Sequence, residues 1–436
     1  MKLDLARFSR ACNPSRTLIV GNPDDRRYYI DFAQVRGGKI IEALNRTITR
    51  LSPNEPTCQL FTGHIGCGKS TELYRLKAEL EEQGFYVVYF EADQDLDVAD
   101  VDVTDILLAI ARQVSSSLEA MGIRLRPTYF ARLFADIGGA LQTPIEISEA
   151  EFSIGIGKIV ARTKDSPQFR SQLRQYLESR TSSILESINE ELLNRATAEL
   201  MRRRFQGLVV IIDNLDRVEN RLNMGGRSQP EYLFIDRGSQ LRELNCHVVY
   251  TIPLALIFSS EAEALKNRLG GGVSPKVLPM VPVQSRDGQE SAEGMALLRQ
   301  LVLARAFPDV NPIQRLDLIP QLFDHPDTLD RLCRISGGHV RNLLGFLYGC
   351  LQQQDPPFPR SSLESVIRTY QDDLALTITD AQWALLRQVA QQKTINNEPA
   401  YQHLLRSLFV FEYRGDQGRW FDLNPALAEL LQRQIS

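Results

Sequence analysis

Three absences narrow the reading of this 436-residue chain before any motif is considered. Neither sign of charge is in excess: 50 basic residues stand against 54 acidic ones, a formal charge of −4, which disfavours a globally basic nucleic-acid binder while leaving a local patch open. Long apolar runs are missing too. No uncharged stretch reaches the roughly 18 residues that a membrane-spanning helix needs, and the start, MKLDLARFSR, places Asp4, Arg7 and Arg10 where a signal peptide would be apolar. The expectation is a cytoplasmic protein with no membrane partner. Finally, Cys12, Cys58, Cys67, Cys246, Cys333 and Cys350 form no pair at metal-ligand spacing, so neither a zinc site nor a disulfide framework is indicated, and the thiols read as small buried hydrophobes. No repeat with a period of about 20–50 residues is present, and low complexity is limited to Gln352–Gln354 and the PPFP run at Pro356–Pro359, read as a linker.

What is present is ordinary globular composition, 43% hydrophobic and 24% charged. At roughly 100–200 residues per domain, the length accommodates two to four domains. From about Pro56, apolar β-rich runs alternate with helical patterns: Cys58–Thr62, a helix from Ser70 to about Glu82, Tyr86–Ala92, a helix over about Val103–Ala120, then Leu208–Asp213 and His247–Pro253. Near-continuous apolar strands separated by helices are what a parallel sheet covered on both faces requires, so the fold class is α/β. The long interval 123–205 does not fit one sheet element. Phe152, Ile154 and Ile156 alternate like a hairpin strand; after Ser166-Pro167, residues Leu173, Leu177, Ile184, Ile188, Leu192, Ala196 and Leu200 predict a long amphipathic helix. Beyond Val283 helices take over, and near the end Phe409–Tyr413, a Gly-Asp-Gln-Gly turn and Arg419–Leu423 outline the wing of a winged helix.

Gly63-His64-Ile65-Gly66-Cys67-Gly68-Lys69-Ser70 fits G-x-x-x-x-G-K-[ST] after an apolar strand and before a helix. Glycines let the backbone curl so that several N–H groups converge on a phosphate, and the helix N-terminus adds partial positive charge. Lys69 reaches the β- and γ-phosphates, and Ser70, followed by Thr71, offers a hydroxyl to Mg²⁺. Cys67 is either a small residue tolerated in the loop or a redox-sensitive position. The Gly207–Asp213 strand ends in a carboxylate suited to Mg²⁺, and Asp216, three residues on, either orients the attacking water or caps the next helix. Thr251, at the end of the next strand, is placed to sense the γ-phosphate or serves only as a β-branched strand residue. Ile335-Ser336-Gly337-Gly338-His339 has a superficial likeness to the signature of ABC transporter ATPases, but it follows Asp213 where that signature precedes the metal-binding aspartate. The more informative residue is Arg341, one turn into a helix, whose guanidinium suits forked contact with phosphate oxygens.

In order, GHIGCGKST, VVIIDNLDRV, HVVYTIP and SGGHVRNLL resemble the Walker A, Walker B, sensor-1 and sensor-2 regions of AAA+ ATPases, with the nearest likeness to the bacterial STAND and origin-recognition-like branches. The resemblance covers about Arg36–Ser436 and implies a P-loop core over 51–285 with an insertion at about 123–205, a helical lid over 286–356 and a winged helix over 357–436; residues 1–50 are expected as an N-terminal segment packing on the nucleotide site. It implies Lys69 and Ser70 on nucleotide and metal, Asp213 on Mg²⁺, Thr251 as sensor 1 and Arg341 as sensor 2, and it puts Arg268 where such families carry an arginine finger. One departure is Asn214, where many AAA+ enzymes carry an acid; loss of a well-placed base typically removes roughly 10²–10⁴-fold in rate, so slow conversion of ATP and water to ADP and phosphate is expected. The other is the unusual length between Lys69 and Asp213, which marks the insertion as partner-specific.

The leading functional reading is therefore an ATP- and Mg²⁺-dependent switch whose nucleotide state controls homo-oligomerisation or a protein partner through the insertion and winged helix. The alternative is a DNA-binding ATPase of the origin-recognition or transposition-helper type. Phosphate neutralisation needs clustered Lys and Arg, yet Thr377–Ser436 holds six basic residues (Arg387, Lys393, Arg406, Arg414, Arg419, Arg433) and six acidic ones (Asp380, Glu398, Glu412, Asp416, Asp422, Glu429). The candidate recognition helix, about Glu398–Leu408, offers only His403 and Arg406, and the Arg202–Arg204 cluster ends a helix where the macrodipole accounts for it. A metabolite kinase fits less well, since the late helices have no role in one.

Overall fold

The computed structural model describes residues 3–125, 127–140, 152–223, 225–415 and 417–435. Strands β1 (Cys58–Gly63), β2 (Tyr86–Glu91), β3 (Leu208–Asp213), β4 (His247–Thr251) and β5 (Lys276–Leu278) form a parallel sheet in the order β2-β3-β4-β1-β5. β3 is buried along its whole length, as its Leu-Val-Val-Ile-Ile run requires of a strand covered on both faces. Register aligns the carboxyl ends: Phe61 lies opposite Thr251, Ile212 opposite Tyr250, and Glu91 opposite Asp213. Parallel sheet, flanking helices and a glycine-rich loop leaving β1 make this a P-loop NTPase fold.

The chain forms two compact units, one of Ile41–Thr62 and Leu76–Lys276, the other of Met1–Ile40, Gly63–Arg75 and Val277–Ser436. The first contains the sheet's main strands and the 123–205 segment. Its Val103–Ala120 helix opens on a capping box between Asp102 and Asp105 and buries Ile106, Leu107, Ile110 and Val114 in the core. Residues Phe152–Asp165 form a helix rather than a hairpin strand. The alternation that pointed to a strand is not the burial pattern: Ile154 is 50% exposed, whereas Ile156, Ile159 and Val160, at spacings of three and four, are buried on one helical face. Ser166 caps the next helix by accepting from Phe169 N–H at 3.2 Å, and all seven apolar residues from Leu173 to Leu200 that predicted a helix are fully buried. That stretch is not one continuous helix, however; it runs as Pro167–Leu177, Thr181–Ser187 and Asn194–Arg202, joined by a 3₁₀ turn and a π-helical turn. Arg170 and Arg174 fasten it to the loop before Val103–Ala120 through Asp97 and Asp100, and to that helix's first turn through Asp105.

The second unit packs the Leu5–Cys12 helix with helices Ala292–Ala306, Pro326–Ser336, Val340–Gln353 and Arg360–Ala375 around one apolar core. The PPFP run is held in that core rather than acting as a loose connection: Phe358 is fully buried, lies edge-on to Phe323 at 5.9 Å, and donates its N–H to Leu322 O at 2.8 Å. Helices Asp380–Gln392 and Pro399–Arg406 follow, then the antiparallel hairpin of β6 (Val410–Gly415) and β7 (Gly418–Leu423), whose Tyr413 and Trp420 rings stack at 5.4 Å. Among the described residues no helix is long and apolar enough to cross a membrane.

Since Leu192 is fully buried in the insertion's core contact, Leu192→Ala should destabilise the chain by about 2–5 kcal/mol. Urea unfolding followed by circular dichroism measures the loss; an effect below about 0.5 kcal/mol would mean that this segment does not fold cooperatively with the sheet.

Candidate nucleotide site

The loop after β1 is shaped by what surrounds it. A Cβ on Gly63 would stand 2.5 Å from Leu278 O, and one on Gly66 (φ +87) would stand 2.7 Å from His339 Nε2, so both positions are limited to glycine. Gly68 (φ +106) has nothing within 4 Å of its Cβ position, and its positive φ is what favours glycine there. The loop's carbonyls are committed elsewhere. Lys69 Nζ donates to Gly63 O and His64 O, both at 2.9 Å; Arg341 N–H donates to Gly66 O at 3.1 Å; Arg36 Nη2 donates to Cys67 O at 2.8 Å. Cys67 N–H closes the loop on His64 O at 3.2 Å, and the N-terminus of the Lys69–Glu82 helix lies at the loop's end, where backbone N–H groups without an intrahelical acceptor suit a phosphate. Ser70 and Thr71, half-buried in the helix's first turn, are the hydroxyls available to phosphate or metal. Cys67 is fully buried with its Sγ toward Leu278 O at 3.7 Å, a packed position in the loop.

Two histidines bind the loop to later parts of the same unit. His339 is the N-cap of the Val340–Gln353 helix; its Nδ1 accepts from Asn342 N–H at 3.3 Å, which leaves Nε2 to donate to Ile65 O at 2.8 Å. His64 has the opposite tautomer, because its Nε2 accepts from Glu412 N–H at 2.9 Å. Burial pushes His64 down to about 3 and His339 to about 4, so both imidazoles are neutral at pH 7. The Phe411 ring lies between them, 5.8 Å from His64 and 5.7 Å from His339. The turn before His339 is equally constrained: Tyr413 Oη donates to Gly337 O at 2.8 Å, and a Cβ on Gly338 would fall 1.7 Å from Val281 O. Thus Arg341, singled out from sequence, does lie at the phosphate loop, while its side chain is exposed.

The other sequence candidates lie in the sheet unit. Asp213, 1% exposed, ends β3 and accepts from Tyr89 Oη at 2.8 Å and from Asn214 N–H at 2.7 Å. Asn214 has left-handed backbone (φ +63) and donates Nδ2 to Asp93 Oδ1 at 3.1 Å. Thr251 Oγ1 accepts from Leu215 N–H at 3.0 Å and lies 3.3 Å from Ile212 O, so its hydroxyl fixes the turn carrying buried Asp216. Arg268 ends a helix, 53% exposed at the side chain, 3.5 Å from Asp236. Sequence reading brought Asp213, Asn214, Asp216 and Thr251 to adjacent strand ends and missed two residues. Arg36, 2% exposed beside Phe32, is held below the ordinary guanidinium value by burial; nothing local in its sequence marks it. Glu91 ends β2 opposite Asp213, its carboxyl raised by burial and then by Asp93 and Asp213; its place as the last residue of an apolar strand was the available signal.

Residues 38–224 match the family model described as the KAP family P-loop domain. No curated protein matches the chain. Among solved structures the chain is similar to the ORC2 protein of Aeropyrum pernix in ADPNP and ADP complexes (TM-score 0.40, 11% identity, 91% of this chain and 93% of that one). It is also similar to the Walker-type ATPase paby2304 of Pyrococcus abyssi (0.40, 12%, 93% and 99%). A further likeness is to Cdc6p of Pyrobaculum aerophilum (0.37, 11%, 95% and 99%).

Burial pushes the Glu412 carboxyl up from 4.5 to about 7, against the opposing pull of Arg419 at 2.8 Å. A folded value above the unfolded one means the folded state binds the proton more tightly, so this group's cost to stability grows from about pH 4.5 and is complete above about pH 7. Glu412→Gln, which keeps the backbone bond to His64, should therefore raise Tm at pH 8 and change it little at pH 5. Thermal unfolding at the two pH values checks this; an equal shift at both would assign the effect to packing.

Proposed function

We propose that this P-loop NTPase is an ATP-dependent regulatory switch of the bacterial STAND or origin-recognition-like kind, acting in the cytoplasm. ATP is held by residues 63–71, with Lys69 on its phosphates and Mg²⁺ on Ser70 and Asp213. The open space beside Gly68 and the paired loop carbonyls support this fit. Mg²⁺ supplies charge neutralisation to the phosphates when bound. Arg341 acts as the sensor-2 arginine, Thr251 as sensor 1 through the turn it fixes, Asp216 in orienting water, and Arg268 on a neighbouring subunit. In this reading 51–285 is the ATPase core with its 123–205 insertion, 286–356 the lid, 357–436 a winged helix, and 1–50 the segment against the nucleotide. Insertion and winged helix carry the contacts of a homo-oligomer or protein partner, and hydrolysis to ADP and phosphate is slow.

The observation that carries the switch is that consecutive loop residues His64, Ile65 and Gly66 bond to Glu412, His339 and Arg341 respectively. A loop that shifts on taking up triphosphate must alter bonds to the C-terminal hairpin and to the start of a helix, which converts ligand binding into a differential free energy between two arrangements. DNA binding is the other reading, and the neutral charge sum of 377–436 weighs against it.

The test pairs nucleotide binding with mass. Wild-type protein should bind a fluorescent ATP analogue, Lys69→Ala should weaken that binding by about 100-fold, and ATP should change the native mass or the protease protection of residues 399–435 in wild type only. Undiminished binding by Lys69→Ala, or identical mass and protection with and without ATP, overturns the switch. Salt-dependent binding to a DNA duplex would support the alternative instead.

A further inference from the structure

We infer that Arg305 is the buried base of a second anion site in the same unit as the phosphate loop, one that takes a phosphate group beside the Tyr28 ring, with Arg7 and Arg16 as its more exposed members. What marks the site is a buried cation with nothing to hold it. Arg305 belongs to the Ala292–Ala306 helix and is 5% exposed. Its Nε is sealed from solvent without an acceptor, and among the described residues its guanidinium makes no hydrogen bond and no ion pair. Arg315, equally buried, shows the ordinary arrangement: Nε donates to Phe307 O at 3.1 Å and Nη2 to Pro308 O at 3.0 Å. A guanidinium carries five donors, and burying one without acceptors is costly, so Arg305 calls for a partner that the chain itself does not supply.

The surroundings are cationic. Arg305 Cζ stands 5.8 Å from the centre of the Tyr28 ring, Arg7 Cζ 5.8 Å and Arg16 Cζ 5.7 Å. Nearby carboxylates are already engaged. Asp25 accepts from Arg16 and from Ile19 N–H at 2.9 Å; Asp309 accepts from Arg7 at 2.8 Å and Arg27 at 3.0 Å; Asp24 pairs with Arg27. Arg7, Arg16, Arg27 and Arg305 thus stand against Asp24, Asp25 and Asp309, and the surplus charge is that of Arg305. The Cys12 thiol does not offset it, because burial pushes it up and keeps it neutral. Burial pulls Arg305 itself down to about 10, with Arg16 acting in the same direction, so the group is still charged at pH 7.

Phosphate fits this setting better than a carboxylate does. Arg305 keeps every donor, and a tetrahedral oxyanion offers more acceptor positions and more charge to a fork of N–H groups than a planar carboxylate can. An anion held here would fasten Arg7, Arg16 and Tyr28 of the N-terminal segment to the helix that carries Arg305. The site is independent of the nucleotide reading, since none of these residues belongs to the loop.

Thermal unfolding of the full-length chain tests the site, with inorganic phosphate and phosphoserine as probes at about 10 mM and ionic strength held constant with sodium chloride. Lys69→Ala serves as the parent, so that the loop takes no part. Phosphate should raise the Tm of this parent by about 3 °C or more. Adding Arg305→Met should abolish the rise and leave the phosphate-free Tm equal or higher, because an unpaired buried charge has been removed. Arg305→Lys, which keeps the charge without the fork, should recover part of the rise and serves as the comparison should Arg305→Met lose its cooperative transition. A response to inorganic phosphate alone identifies the ligand as the free ion, and an equal or larger response to phosphoserine identifies it as a phosphorylated molecule. No rise with either probe, a rise that Arg305→Met retains, or an equal rise with sodium acetate overturns the proposal. So does a phosphate-free Tm clearly lowered by Arg305→Met, which would mean that the guanidinium is already satisfied.

Discussion

The phosphate loop's acceptors are all spoken for, and much of this unit is arranged to keep them so. From Gly63 to Cys67 each carbonyl meets a donor: Lys69 Nζ at the first two, His339 at the third, the Arg341 N–H at the fourth and Arg36 at the fifth. With each carbonyl paired, the curl of the loop is held from five positions, and His64 O takes a second bond from Cys67 N–H. The donors come from the N-terminal segment, the helix after the loop and the Gly337-Gly338 turn, which are far apart in sequence. Glycine is required at Gly66 and Gly338 because both have positive φ and a Cβ would overlap the His339 ring or the Val281 backbone.

The same arrangement explains the unusual ionisation around the loop. His64 and His339 act as neutral hydrogen-bonding groups of opposite tautomer, which only works in a buried setting where neither can take a second proton. Arg36 and Lys69 bring positive charge into a region where burial penalises it. In a medium of low dielectric, charge brought this close to the loop acts strongly on whatever approaches it. The charge that matters for binding is therefore local, and the overall value of −4 carries no information about it.

Motifs whose chemistry requires contiguous residues were legible in the sequence. The loop, the helix after it and the apolar strands lie where composition and spacing put them, because backbone curl, helix capping and burial on both faces leave few alternatives. Phe152–Ile156 misled because Ser153 and Gly155 created an alternation that a helix accommodates equally well, and only tertiary burial of Ile156, Ile159 and Val160 decides between the periods. The breaks at Glu178–Arg180 and Ile188–Leu193 were not legible for a related reason: they preserve the buried face, so the apolar pattern is blind to them. Arg36 on Cys67 and His64 on Glu412 span 31 and 348 residues, and no local pattern encodes a contact at that distance.

Asn214 is where local motif reading and sheet geometry part. Read along the chain, it is a missing acid, and the consequence is a weak enzyme. Across the sheet, Asn214 belongs to an interlocked set: its left-handed backbone delivers one N–H to Asp213, its amide ties Asp93, Asp93 ties Arg217, and Thr251 fixes the next peptide through Leu215. An ionised acid in place of that amide would face Asp93 with like charge instead of a donor, and burial would sharpen the repulsion. The amide is thus the residue type that this strand end can hold, as a donor to Asp93 beside the buried Asp213.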